Sequence, residues 1–180
     1  MNTKDRLSKI LDEMRSVFAQ LEPDAIPNLA EEIVRAHRIL VYGVGRTGLA
    51  LQAFAMRLTH LGLDGHFVGQ LAAPPVAKGD LLVSVLSVGR LPTGDAIIGS
   101  AKAAGARVAV ISARPQLVKN ADIVIALPAQ TMADPMTSVL PLGSPFELAL
   151  SLFCDLTVAE LMTRLGRDND YLAARHANLL

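Results

Sequence analysis

The residues best placed to do chemistry in this 180-residue chain cluster in one short stretch. Gly43, Gly45 and Gly48 fall close together, with Arg46 and Thr47 between them. An apolar run, Ile39 to Tyr42, precedes them, and Leu51, Phe54, Ala55, Leu58 and Leu61 follow at helical spacings. The first pattern is that of a strand buried on both faces, the second that of a helix packed on a core. A strand, a tight glycine turn and a helix start leave unpaired backbone N–H groups above the strand end, where the helix dipole favours an anion. Arg46 adds a cation there and Thr47 a hydroxyl. Gly45, Arg46 and Thr47 are therefore candidate ligands for a phosphate group.

A second polar loop follows another apolar strand. Leu81 to Leu86 runs into Ser87-Val88-Gly89-Arg90-Leu91-Pro92-Thr93, which offers two hydroxyls and a guanidinium. Ser87, Gly89, Arg90 and Thr93 are candidates for the same anion. Residues 128 to 143 hold three prolines and Gly143, so they read as a long loop, and long loops in compact domains tend to be functional or disordered.

The elements that must position these loops alternate. Residues 3 to 21 carry an apolar stripe of helical period, from Leu7 to Leu21, suited to docking or self-association. A second helix, with Pro27 in its first turn, runs to about His37. Strands are expected at 39–42, 65–68, 81–86, 107–112 and 122–127. Helices are expected at 48–61, 95–104 and 144–165, with a helical turn at 114–119 and a tail helix from 167 to 178. Alternation of this kind predicts an α/β fold, a three-layer αβα sandwich around a five-stranded parallel sheet. The length suits a single domain over 1–180, with N-terminal helices (3–37), an αβ core (38–165) and a tail (167–180). In such sheets ligands bind at the carboxyl ends of the strands.

Composition narrows the partners. Lys+Arg and Asp+Glu are both 17, so no broad field recruits nucleic acid or a membrane. Tryptophan is absent and aromatics are only 4%, which argues against base-stacking modules. No apolar run reaches the roughly 20 residues of a membrane span. The N-terminus is charged rather than signal-like, and the lone Cys154 lies in an apolar helical run, so a cytoplasmic location is expected.

Gly43-Val44-Gly45-Arg46-Thr47-Gly48 also matches GxGxxG. A dinucleotide fold wants an acid at the end of the second strand to hold the ribose hydroxyls. Here that strand ends in Gly69-Gln70, and Asp64 precedes it. The sequence therefore favours a monophosphate over NAD or a flavin.

Four blocks carry a family resemblance: Val41 to Gly48, Ala53 to Gly62, Pro141-Leu142-Gly143-Ser144-Pro145-Phe146-Glu147, and Arg175-His176-Ala177-Asn178-Leu179. Together they resemble the 6-phospho-3-hexuloisomerases of the sugar isomerase (SIS) domain superfamily, over nearly the whole chain. The resemblance implies a flavodoxin-like fold and interconversion of 3-hexulose 6-phosphate and fructose 6-phosphate through an enediol, without metal or organic cofactor. It implies a phosphosugar ligand and self-association as a homotetramer or dimer with sites shared between subunits. It makes Glu147 the candidate base. Helix chemistry offers a plainer role, since Ser144 as N-cap with Pro145 behind it would put Glu147 in a capping box. The resemblance also implies a catalytic His176 and a substrate-binding Asn178, on a tail that docks into a neighbour's site. The plainer reading of His176 is an exposed tail histidine. His37, His60 and His66 read as structural.

Two loops depart from the family. Members usually carry a Ser-Gly-Ser-Gly-Glu-Thr-like run where this chain has Ser87-Val88-Gly89-Arg90-Leu91, and a glutamate where it has Gln70. The alternatives are thus a non-catalytic phosphosugar sensor, or an isomerase of a different phosphosugar.

Overall fold

The computed structural model describes residues 1–179. In chain order the elements are α1 (Thr3–Ala19), α2 (Ala25–Arg35), β1 (Ile39–Tyr42), α3 (Gly45–His60), β2 (Gly65–Phe67), β3 (Leu81–Val85), α4 (Pro92–Ala103), β4 (Arg107–Ser112), β5 (Ile123–Ala126), α5 (Ser144–Leu165) and α6 (Asn169–Ala173). The five strands form one sheet in the order β2-β1-β3-β4-β5, every pair parallel. Ile39 stands between Gly65 on one side and Leu81 on the other. The chain thus runs outward from β1 to β2 and then crosses back past β1 to β3, and this reversal of strand order opens a crevice above the carboxyl end of β1.

Alternate residues of the strands feed two cores. Ile39, Val41, Leu81, Val83, Val85, Ala109, Ile111 and Ile125 pack with α2, α3 and α5, and Met14 and Val17 of α1 join them. Leu40, Tyr42, Leu82, Val108 and Val110 face the other way, under Ile98 and Ala101 of α4. That makes three layers. α5 is the central helix of the first, with Phe146, Phe153 and Leu161 at most 1% exposed. Fully burying one side chain of this size is worth about 1.5–3 kcal/mol, so this layer supplies much of the stability. Cys154 is buried in it, and burial followed by the nearby Asp155 pushes its thiol pKa far up, which leaves it unreactive.

Four elements depart most from expectation. α3 begins at Gly45, three residues earlier than its apolar spacing suggests, because the glycine turn itself winds into the first helical turn. α4 begins at Pro92, since proline is well suited to the start of a helix. The turn at 114–119 is a 3-10 turn of Pro115–Leu117 alone. The expected tail helix shrinks to Asn169–Ala173, capped where Asp168 accepts from the Tyr171 N–H. Beyond it the chain is held by stacking, with Tyr171 between the guanidiniums of Arg167 and Arg175 at 4.9 and 3.6 Å. Position 180 lies outside the described residues. No helix among them is long and apolar enough to cross a membrane.

Candidate active site

The glycine corner is built by close backbone approach. A Cβ on Gly48 would lie 2.5 Å from the Gly43 carbonyl oxygen, and one on Gly43 would lie 3.0 Å from the Gly48 nitrogen. Gly45 has φ +55°, a left-handed conformation that glycine adopts without penalty. Thr47 is buried, and its hydroxyl donates to the Val44 carbonyl at 2.7 Å. The helix therefore starts directly over the end of β1, with its first amides free of intrahelical partners.

Beside that corner lies a cavity of about 280 Å³ at the carboxyl edge of the sheet. Gly45, Arg46, Thr47, Ser87 and Glu147 all line it, so the structure brings together five residues that sequence reasoning proposed. Its remaining wall comes from the long loop through Thr131, Met132, Leu142 and Gly143. The length of that loop pointed to function, but no spacing singled out its residues. An adjoining cavity of about 420 Å³ shares Arg46 and Glu147 and is otherwise lined by α3, α5 and Leu140.

Glu147 does not make the expected capping box. A turn from the Ser144 N–H to the Pro141 carbonyl, 3.0 Å, sets Gly143 as the N-cap and leaves Ser144 already inside the helix. No side chain caps this end. The early Phe146 N–H donates instead to the Gln130 carbonyl at 3.1 Å. Freed from capping, the Glu147 carboxylate accepts from Arg46 Nε across the cavity. Arg46 is 71% exposed while Glu147 is 20% exposed, so the cation is the mobile partner of the two.

The other candidates sit elsewhere. Arg90 donates twice to Asp95 Oδ2, at 3.1 and 2.9 Å. The Thr93 hydroxyl accepts from Tyr42 at 3.3 Å. Gly89 serves a turn with φ +87°, where a Cβ would come within 2.7 Å of Leu117. None of these three lines the cavity beside Glu147. Gln70 is occupied too: its carbonyl accepts from the Phe67 N–H and its amide lies 2.8 Å from His66 Nδ1.

His176 stands far from Glu147 within one chain. Its ring lies 5.2 Å from that of His60, in a separate cavity with Arg57, Asn169 and Met162. Arg46 and His60 mark opposite ends of α3, roughly 21 Å apart at 1.5 Å per residue. Asn178 is exposed and lines neither cavity. His60, expected to be structural, is buried at 5% exposure, with Nδ1 3.2 Å from Arg57 Nη1. Burial, then Arg57 and His176, hold its pKa below the ordinary 6.5. The sign follows directly: unfolding lets His60 take up a proton that the fold resists, so stability is lost as pH falls below about 6.5. Denaturant melts at pH 7.5 and 5.5 should show that loss, and His60→Gln should shrink it.

No protein-family model matches the sequence. The chain is 33% identical over 184 residues to the 3-hexulose-6-phosphate isomerase of Bacillus subtilis, covering 99% of this chain and all of that one. It is 35% identical to the 3-hexulose-6-phosphate isomerase of Methanocaldococcus jannaschii, covering 86% of this chain and 84% of that one. The chain belongs to the 3-hexulose-6-phosphate isomerase family. Its fold agrees with that of a Methanococcus jannaschii protein whose crystal structure infers a function of 3-hexulose-6-phosphate isomerase, with a TM-score of 0.86, 31% identity, and 98% and 99% of the two chains covered. The chain is accordingly an isomerase of the SIS fold.

Proposed function

We propose that this isomerase interconverts 3-hexulose 6-phosphate and fructose 6-phosphate at the cavity between α3 and α5, with Glu147 as the base. The observation that carries the reading is the Arg46–Glu147 pair, set at the mouth of a helix N-terminus and beside Ser87 and Thr47. The phosphate sits against the amides of residues 45–47 and recruits Arg46, which leaves Glu147 to work as a base. Glu147 then takes the proton from C2 of the hexulose as O3 gains one, giving a 2,3-enediol; O2 gives up its proton as the carbonyl forms at C2, and Glu147 returns its proton to C3. The phosphate grip holds those carbons under the carboxylate. No proton or electron is gained or lost overall.

His176 and Asn178 enter this scheme from a neighbouring copy, because the length of α3 keeps the tail away from Glu147 in its own chain. Exposed Leu49 and Met56 on α3, with Leu152 and Leu156 on α5, offer an apolar face for a homotetramer or dimer. A cytoplasmic setting suits such an enzyme.

A coupled assay that consumes fructose 6-phosphate, started with 3-hexulose 6-phosphate, tests the reading. Turnover by the wild-type chain, weakened at the KM level by Arg46→Ala, is expected. Absence of any rate would retire it. The alternative, a phosphosugar sensor, is favoured by one feature: Arg90 is bound to Asp95 and not turned toward the cavity. It predicts binding of fructose 6-phosphate without turnover.

A further inference from the structure

The long loop between β5 and α5 is fastened by a cluster that takes no part in the chemistry above. Asp134 Oδ2 accepts from both the N–H and the hydroxyl of Thr131, each at 2.7 Å. Its other oxygen accepts from Arg114 Nη2 at 2.9 Å, and the same nitrogen donates to the Ala133 carbonyl at 3.3 Å. Arg114 follows β4 directly, and its own N–H is held by the buried Ser112 hydroxyl at 3.0 Å. The loop is therefore tied to the sheet through one arginine, which holds both the Asp134 carboxylate and the Ala133 carbonyl. Thr131 is 1% exposed, so its hydroxyl has no water to fall back on if the Asp134 carboxylate is lost.

What this clamp holds lies next to the base. Gln130, adjoining Thr131, offers the carbonyl that takes the Phe146 N–H, one residue before Glu147. Met132 stands against Gly143, where a Cβ would lie 3.5 Å from the Met132 nitrogen and 3.9 Å from Glu147 Oε1. Since α5 has no side-chain cap, the loop is what fixes its first turn. Leu142, in that same wall, is held at φ +52°, a conformation that a side-chain-bearing residue keeps only under constraint.

We propose that Arg114, Asp134 and Thr131 are positioning residues for the isomerase reaction: they lock the 130–134 segment to the sheet, and that segment sets the first turn of α5 and so the reach of Glu147 into the cavity. This rests on Glu147 acting as the base. Hydrogen bonds from the Thr131 amide and hydroxyl, then Arg114, lower the Asp134 pKa to about 2. The Asp134 carboxylate is thus ionised throughout the neutral range.

The test is steady-state kinetics with 3-hexulose 6-phosphate on Asp134→Ala and Arg114→Met, alone and combined with Glu147→Gln. Misplacing a catalytic group by about 1 Å can cost on the order of a hundredfold. Each single variant should lower kcat at least tenfold while KM stays within threefold. In the Glu147→Gln background the same changes should cost nothing further, because the group they position is already gone. Arg114→Met keeps the Asp134–Thr131 bonds and serves if Asp134→Ala does not fold. The inference is overturned if folded Arg114→Met keeps wild-type kcat, or if its loss multiplies with that of Glu147→Gln. An inactive wild type would overturn the isomerase reading and this inference together, whereas an active wild type with an indifferent Arg114→Met sinks the inference alone.

Discussion

Glu147→Gln should leave only a residual turnover while keeping binding and fold in place. An amide cannot take a proton from carbon, and losing a positioned general base costs about 10²–10⁴ in rate. The substitution keeps the size and the hydrogen-bonding oxygen of the side chain. It removes a salt bridge whose arginine is 71% exposed, and ion pairs of that kind are worth roughly 0–1 kcal/mol. A chain of this length should therefore melt within about 4 °C of wild type. KM should hold or fall, because Arg46 loses its resting partner and is free for a phosphate. Steady-state kinetics and calorimetric titration with fructose 6-phosphate separate these effects. Retention of more than a tenth of wild-type kcat would sink Glu147 as the base. So would a loss confined to KM, since that is the signature of uniform binding.

In the proposed scheme the Arg46–Glu147 ion pair gives the reaction an order. A carboxylate engaged by a guanidinium is a poor partner for a carbon acid until the guanidinium has somewhere better to go. A phosphate dianion at the start of α3 provides that destination, since it offers Arg46 a bidentate contact beside free backbone amides. Ligand binding and liberation of the base then become one event. Arg46→Lys should impair this more than its charge implies, because an ammonium lacks the planar fork.

The fold was legible because its signals are local and periodic. Apolar runs such as Leu81–Leu86 and Arg107–Ser112 had to be buried strands, and Leu51, Phe54 and Leu58 had to be a helix face. The glycine corner was legible for the same reason: three glycines lie within six residues, between an apolar strand and a helix. The opposite wall was not. Thr131 and Met132 line the cavity with Glu147 only because the chain folds back after β5, and no period records that. The capping box failed on a detail of the same kind, since Pro141 to Gly143 form a turn that shifts the helix start by one residue. Arg90 shows the converse. Its loop position put it within reach of an anion, but Asp95, five residues on, binds it first.

The other large effect belongs to Gly48. Gly48→Ala should be among the most damaging small substitutions in the chain, while Gly45→Ala three residues away should be mild. At Gly48 the added methyl would meet the Gly43 carbonyl oxygen at 2.5 Å and its carbon at 3.0 Å. Both are backbone atoms at the end of a strand whose four residues are all buried, so neither can swing aside like a side chain. Relief requires lifting α3 away from β1, which loosens Leu51, Phe54 and Leu58 from the core. Overpacking of a rigid site costs about 1–3 kcal/mol, and the upper end applies where backbone opposes backbone. At 2–4 °C per kcal/mol, the melting temperature should fall by roughly 6–12 °C. The shift also moves the helix amides off the phosphate, so KM should rise in whatever protein folds. At Gly45 a Cβ meets nothing within 4 Å, and only the left-handed backbone, φ +55°, opposes it. That costs about 1–2 kcal/mol. Thermal melts and KM for the two variants decide the matter. If Gly48→Ala melted within 2 °C of wild type with KM unchanged, the corner would not be the close-packed anion site that the isomerase reading needs.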